Sequence, residues 1–214
     1  MTIKRKGNIT KERILYFAKK EFYQNGYNKT QLKRIAEQAE LSLGNLNYYF
    51  KKKDDLVKEI YNQFFIEVYQ FIEDQHVRDA LQQHCCFLYI IYNIVLTDEN
   101  NKRFYYEIIQ NKSNYRVMQE LMHAKYQDIV ESLQLSLSDL EFEFIILTEF
   151  GARREIFLNY FTGHLPLTID ALIYYLIKNT CKKLDVSGEA FEALIARSHE
   201  FIAQKDFSQL KFLV

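Results

Sequence analysis

One proline, Pro166, and six glycines punctuate 214 residues. That scarcity of breakers constrains the fold more than any other feature of the sequence. Turn-rich β architectures spend proline and glycine freely, so a chain this poor in both favours long helices. The glycines stand at 7, 26, 44, 151, 163 and 188, and no two lie within ten residues of each other. This spacing excludes G-x-G-x-x-G, G-x-x-x-x-G-K-[ST] and G-x-S-x-G. Hydrophobic residues make up 48% of the chain and charged ones 26%, the balance of a globular protein with a core. The length suits one domain, or a small one beside a larger one.

The net charge is zero but unevenly spread. Residues 1–58 carry 14 Lys and Arg against 6 Asp and Glu, a net +8, and the remainder is −8. A basic head on an acidic body suits a polyanionic partner, most simply nucleic acid, although a solvated charged face reads the same on charge alone. The three cysteines, Cys85, Cys86 and Cys181, make no disulfide framework. The opening MTIKRKGNIT has no apolar core of a signal peptide. The longest uncharged run, Ala80–Thr97, contains Gln82, Gln83, His84 and Asn93. It reads as a buried helix rather than a membrane span. A cytoplasmic protein with no membrane partner is expected.

The apolar spacing is helical throughout. The first nine residues read as a polar lead. Thr10 then caps a helix carrying Ile14, Leu15, Phe17, Ala18 and Phe22, which Gly26 ends in the left-handed conformation. Thr30 caps a second, short helix with Leu32, Ile35, Ala36 and Ala39, and Ser42 a third through Leu46 to Phe50. Asp54 and Asp55 open a long fourth helix reaching about residue 73. Further helices are predicted at 77–97, 101–110, 113–133, 138–160, 168–183 and from Ser187-Gly188-Glu189 to about 203, with Thr162–Pro166 the clearest loop.

Residues 30–50 fit a helix-turn-helix. Small Ala36 and Ala39 let two helices approach, and Leu41 and Leu46 plug the gap. Gly44 removes a side chain where a backbone can come close to DNA. Asn45, Asn47, Tyr48 and Tyr49 face solvent. Asn can read adenine in the major groove, and Tyr hydroxyls suit phosphate oxygens. An ordinary helical hairpin with a polar face would show much the same pattern.

The stretch Ile9–Leu56 closely resembles the DNA-binding domain of the TetR family of transcriptional regulators. Phe22, Gly26, Tyr27 and Thr30 fit its F-x-x-x-G-[YF]-x-x-T pattern. Leu41, Ser42, Gly44, Leu46, Tyr48 and Phe50 fit V-S-x-G-x-[LI]-Y-x-H-F, and Lys53, Asp54 and Leu56 fit K-[ED]-x-L. Asn47 and Tyr49 depart from the Tyr and His that the family often has there. The resemblance implies an all-α protein with a three-helix head, residues 1–55, and a larger helical body, 56–214, that binds an effector and dimerises. The dimer bundle would use about 139–160 and 168–184. The function implied is a sequence-specific regulator, a repressor released from a palindromic operator on double-stranded DNA by a small-molecule effector. Asn45 and Asn47 would read bases, and Ser42 and Gly44 would bring the helix to the groove. Tyr48, Tyr49 and Lys53 would clamp phosphates, joined by Thr30 and Gln31, with Lys4, Arg5 and Lys6 as a basic arm. The alternative is an effector-binding or protein-interaction module whose head no longer reads DNA.

In the body, Tyr89, Tyr92, Asn93, Tyr105, Tyr106, His123 and Tyr126 are candidate pocket residues. Their apolar walls with hydroxyl tips suit an aromatic or lipophilic effector, although any one of them can equally be packed core. His84-Cys85-Cys86 cannot share one metal ion, because adjacent helical positions diverge by about 100°. They read as a buried His and thiols. No nucleophile–base set emerges, so neither an enzyme nor a cofactor is expected.

Overall fold

The computed structural model describes residues 2–186 and 188–214, with the side chains of 2–6 and 113 outside that description. Among the described residues there are ten helices and no strand: α1 (Thr2–Lys29), α2 (Leu32–Gln38), α3 (Leu43–Tyr49), α4 (Lys53–Asp74), α5 (Ala80–Thr97), α6 (Glu99–Gln110), α7 (Lys112–Ser132), α8 (Asp139–Phe161), α9 (Ile169–Lys183) and α10 (Glu189–Gln204). The protein is all-α, as the scarcity of breakers requires.

Local chemistry sets most of the helix starts. Asp79, Asp98, Ser138 and Thr168 each accept a backbone N–H of the following first turn. Ser138 and Glu141 do so reciprocally. Three details differ from the sequence reading. Helix α1 starts at Thr2, not at Thr10, because the Lys- and Arg-rich lead contains good helix formers and no proline. Gly26 breaks the helix at φ 72, ψ 178. That is an extended, positive-φ conformation open essentially to glycine alone rather than the left-handed helical one. Gln31, not Thr30, precedes α2, and it makes no side-chain cap. The side chains of Lys4, Arg5 and Lys6, and Ser187 as a cap, lie outside the described residues.

The head packs Ile14, Ala18 and Phe22 of α1 against Ile35, Ala36 and Ala39 of α2, with Leu46 and Phe50 closing the unit. Glu21 is buried beneath it. Its carboxylate accepts from Asn25 and Gln38 at 2.9 and 2.6 Å and lies 3.5 Å from the Arg34 guanidinium, tying α2 to α1.

In the body α5 is the central helix, packed by α4, α6, α7, α9 and α10. By length and composition Ala80–Thr97 could cross a membrane, but 67% of it is buried inside the body, so its apolarity is that of a core helix. Cys85, Cys86 and Cys181 are buried free thiols. Burial pushes Cys86 up to about 12 and Cys181 to about 11. After α10 the chain returns to the head end. There Phe212 inserts between Tyr61 and Phe64 of α4 and Phe104 of α6, with ring centroids 4.9, 5.1 and 5.7 Å away.

Candidate DNA-binding face and body cavity

Helix α3 presents one face outward. Ser42 accepts the Asn45 N–H at 3.1 Å and starts the helix. Leu46 and Phe50 point inward, 0% and 3% exposed. At 100° per residue, Gly44 and Tyr48 then lie along the outermost line, with Asn45 and Asn47 on opposite flanks. All four are exposed, Tyr48 to 83%. Tyr49 is half-buried and meets Tyr48 edge-on at 5.2 Å.

Gly44 has no internal reason to be glycine. A Cβ there would meet only Ser42 Oγ, at 3.8 Å. A helical glycine costs roughly 0.5–1 kcal/mol against alanine. Gly44→Ala is therefore expected to leave the fold as stable or raise its stability by up to about 1 kcal/mol, while weakening any partner that needs the bare backbone. Thermal melts and duplex-binding curves of one preparation check both signs.

Two of the residues assigned to phosphate are bonded within the protein, one of them buried and one partly so. Thr30 is 2% exposed, and its hydroxyl donates to the Glu21 and Gly26 carbonyls at 3.2 and 2.6 Å. Lys53 donates to the Tyr27 carbonyl at 2.8 Å and sits 4.3 Å over the Tyr27 ring. Desolvation lowers its pKa, against the pull of Asp54 and Glu107. Both side chains bond to the backbone around the Gly26 break in α1. Exposed Gln31, Lys51 and Lys52 remain on the surface beside α3.

The turn at Gly26 is also where head meets body. Arg103 of α6 donates to the Tyr23 and Gln24 carbonyls at 2.7 and 3.0 Å, a cation at the C-terminal end of a helix segment. Glu107, one turn on, accepts the Asn28 N–H at 2.7 Å. A Cβ on Gly26 would sit 2.7 Å from that carboxylate. Tyr27 donates to Asp54 at the start of α4 at 2.6 Å. From the other side, Arg154 of α8 donates to the Ile109 carbonyl at the end of α6 at 2.9 Å. The head is thus gripped by α4 and α6, and α6 by α8.

A cavity lies at the centre of the body. It is lined by Tyr61, Phe64 and Phe65 of α4, by Phe87, Ile91, Tyr92 and Val95 of α5, by Tyr105 of α6, by Tyr115, Met118 and Met122 of α7, and by Phe150 and Arg153 of α8. The free space between these side chains is small, with room for about one water. Arg153 is 3% exposed. It donates to Glu149 at 2.8 Å and to the Tyr126 hydroxyl at 3.2 Å. Glu149, 0% exposed, also accepts from Lys183, Thr180 and Asn179 at 2.9, 2.8 and 3.0 Å. Burial alone would raise the Glu149 pKa, but Arg153 and Lys183 outweigh it and hold it at about 2. Beside them His84 is kept neutral, its pKa lowered to about 3 by desolvation and by Arg153.

Of the pocket residues read from sequence, Tyr92 and Tyr105 line this cavity. Tyr126 supports Arg153 from behind. Tyr89 hydrogen-bonds His199 on α10, and Tyr106 packs on Phe161 at 5.0 Å. Asn93 faces a separate surface groove beside the C-terminal segment. His123 is half exposed and pairs with Glu143 at 2.9 Å. Tyr61, Phe64 and Phe65 of α4, Tyr115, Met118 and Met122 of α7, and Arg153 as a cavity residue rather than a member of a charge network with Glu149, escaped the sequence reading. Their signal was an arginine on the apolar face of α8, in register with Ile146, Phe150 and Phe157.

A helix-turn-helix head held on a helical body with a narrow aromatic cavity is the plan of a DNA-binding transcriptional regulator. Residues 14–60 match the family model for bacterial regulatory proteins of the tetR family. The HTH-type transcriptional regulator QacR of Staphylococcus aureus is 48% identical over 52 residues, 24% of this chain and 28% of QacR. The match therefore spans less than a third of that relative. The probable HTH-type transcriptional regulator YttP of Bacillus subtilis is 21% identical over 171 residues, 77% of this chain and 75% of YttP. Among solved structures, Thermus thermophilus FadR, a TetR-family repressor in complex with lauroyl-CoA, shares the fold at TM-score 0.59 and 15% identity, covering 83% of this chain and 94% of that one. RolR in complex with resorcinol does so at TM-score 0.59 and 16% identity, over 94% and 96%. The N-terminal segment is thus similar to the DNA-binding domain of the tetR family, and the chain as a whole shares the fold of these solved structures. QacR, YttP and FadR are described as transcriptional regulators.

Proposed function

We propose that this protein is a cytoplasmic, non-catalytic homodimeric repressor. Its two α3 helices read a palindromic operator, and a small molecule in the body cavity releases it. The observation that carries the reading is the bare backbone of Gly44 at the outermost point of α3, where nothing inside the protein calls for glycine. Asn45 and Asn47 read base edges from its flanks. Tyr48, Tyr49 and Gln31 contact the sugar-phosphate backbone, and Lys51 and Lys52 add charge beside Ser42 and Gly44.

Dimerisation falls to α8 and α9. Leu140, Phe144 and Leu147 are 67%, 59% and 56% exposed, and with Gly151 they form one stripe along α8. Tyr175 on α9 adds an exposed ring at 53%. An apolar stripe of this kind marks an interface. An effector wedged between α4 and α7 would push on the helix that carries the head, changing the separation of the two α3 helices from the ~34–36 Å of one DNA turn. A ligand preferring the released arrangement ~100-fold supplies ~2.7 kcal/mol. That small-molecule complexes are known for FadR and RolR supports this use of the cavity.

The experiment is a salt titration of duplex binding by fluorescence anisotropy. Phosphate neutralisation by the basic head predicts a steep negative slope of log K against log salt. A flat slope, or no binding at low salt by a folded dimer, removes the DNA-binding reading.

A further inference from the structure

The body cavity holds an imbalance that its packing does not resolve. Its walls are aromatic rings and methionines, and no Asp or Glu lines it. Yet three of its polar groups end without a hydrogen-bond partner: the Tyr61 hydroxyl, the Tyr115 hydroxyl and Arg153 Nε. Each orphan costs about 1–3 kcal/mol of desolvation, and buried polar groups in folded proteins nearly always have partners. The three converge. Arg153, Tyr61 and Tyr115 all line this one cavity, on α8, α4 and α7.

The character of these groups restricts what can complete them. Arg153 Nε–H only donates, so it needs an acceptor oxygen or nitrogen. The two tyrosines both donate and accept, and burial raises their pKa well above the usual phenol value, so they stay protonated at neutral pH. The carboxylate of Glu149 is already shared between Arg153 and Lys183, so the local balance is positive and disfavours a cation. The narrow gap between ring walls accepts a planar group more readily than a folded chain. Met118 and Met122 form the wall that can yield, being unbranched and flexible.

From this geometry we infer that the cavity takes a compact, planar aromatic compound bearing a hydroxyl or carboxylate oxygen, neutral or singly anionic. The ring lies between the aromatic walls and the oxygen is seated against Arg153 Nε and the Tyr61 and Tyr115 hydroxyls. The inference rests on the reading of this cavity as the effector site and names the chemistry of that effector.

Isothermal titration calorimetry of the full-length, DNA-free protein tests it with resorcinol, phenol, toluene and decanoate as probes. Resorcinol and phenol should bind roughly ten-fold or more tightly than toluene, the worth of one or two buried hydrogen bonds. Decanoate should bind no better than toluene. Tyr115→Phe and Tyr61→Phe each remove an unsatisfied hydroxyl, so both should melt no lower than the parent. Each should lose about 5–10-fold in resorcinol affinity, with toluene unchanged. Tighter binding of decanoate than of the phenols, unaltered resorcinol affinity in both variants, or no binding by any probe overturns the inference. A parallel DNA-release assay separates it from the effector reading. Resorcinol that binds without releasing DNA supports the ligand class and overturns effector control. Release by decanoate with no phenol binding does the reverse.

Discussion

Glu149→Gln is expected to cost about 3–5 kcal/mol of stability, the usual result of stripping one partner from a buried ion pair. The carboxylate is fully buried and holds four groups at once: Arg153 on its own helix and Asn179, Thr180 and Lys183 on α9. Glutamine keeps the shape but leaves Arg153 charged and without its counter-ion at 3% exposure. Replacing both partners with apolar residues of similar volume, Glu149→Leu with Arg153→Met, should recover a large part of the loss, because no lone charge then stays buried. The same pair sets an acid limit. Burial opposes ionisation of Glu149, but Arg153 and Lys183 lower its pKa from 4.5 to about 2. A carboxylate depressed in the folded state contributes stability above its unfolded pKa and loses it as pH falls through the folded one. On the order of 3 kcal/mol should therefore be present at pH 7 and disappear between about pH 5 and pH 2. Urea unfolding across that range should show the decline in the parent and a shallower one in Glu149→Gln. A loss under 1 kcal/mol at pH 7 would mean that the network does not hold α8 to α9.

The second large effect is on recognition. Asn45→Ala and Asn47→Ala should each weaken operator binding by about 1–3 kcal/mol and relax specificity at one base-pair position. The two positions should differ, because the residues occupy opposite flanks of α3. With no contact between them the losses should add to roughly 2–6 kcal/mol in the double variant. Both side chains are exposed, so stability should move by no more than about 0.5 kcal/mol. Lys51→Ala and Lys52→Ala supply the contrast. Each should weaken all duplexes alike and reduce the salt slope by about one. Equal binding by the double asparagine variant and the parent would put the reading face elsewhere.

The comparison between sequence and structure divides along a physical line. What depends on a few neighbouring residues was legible. Ser42, Ser138 and Thr168 cap the helices that the spacing predicts, and Gly26 ends the first helix with positive φ. The outward face of α3 followed from Leu46 and Phe50 alone. What depends on where a flexible or buried side chain turns was not legible. Lys53 looks like the end of a solvated Lys51–Lys53 run, yet folding carries it onto the Tyr27 ring and carbonyl. Thr30 has the polarity of a phosphate contact, yet the Gly26 break places its hydroxyl over two carbonyls. The cavity draws its lining from five helices, and its tyrosines share the periodicity of ordinary core. Only the unpartnered state of Tyr61, Tyr115 and Arg153 sets them apart, and one-dimensional spacing does not encode that.

The central claim, that the α3 helices of a dimer read a palindrome, is tested most directly by selecting random duplex DNA on the purified full-length protein at two salt concentrations. The account predicts one enriched inverted repeat. Its half-site centres should lie one helical turn apart, ~34–36 Å, or a multiple, and retention should fall steeply with salt. Failure of a folded dimer, stripped of bound small molecules, to enrich any sequence at either salt concentration would contradict it.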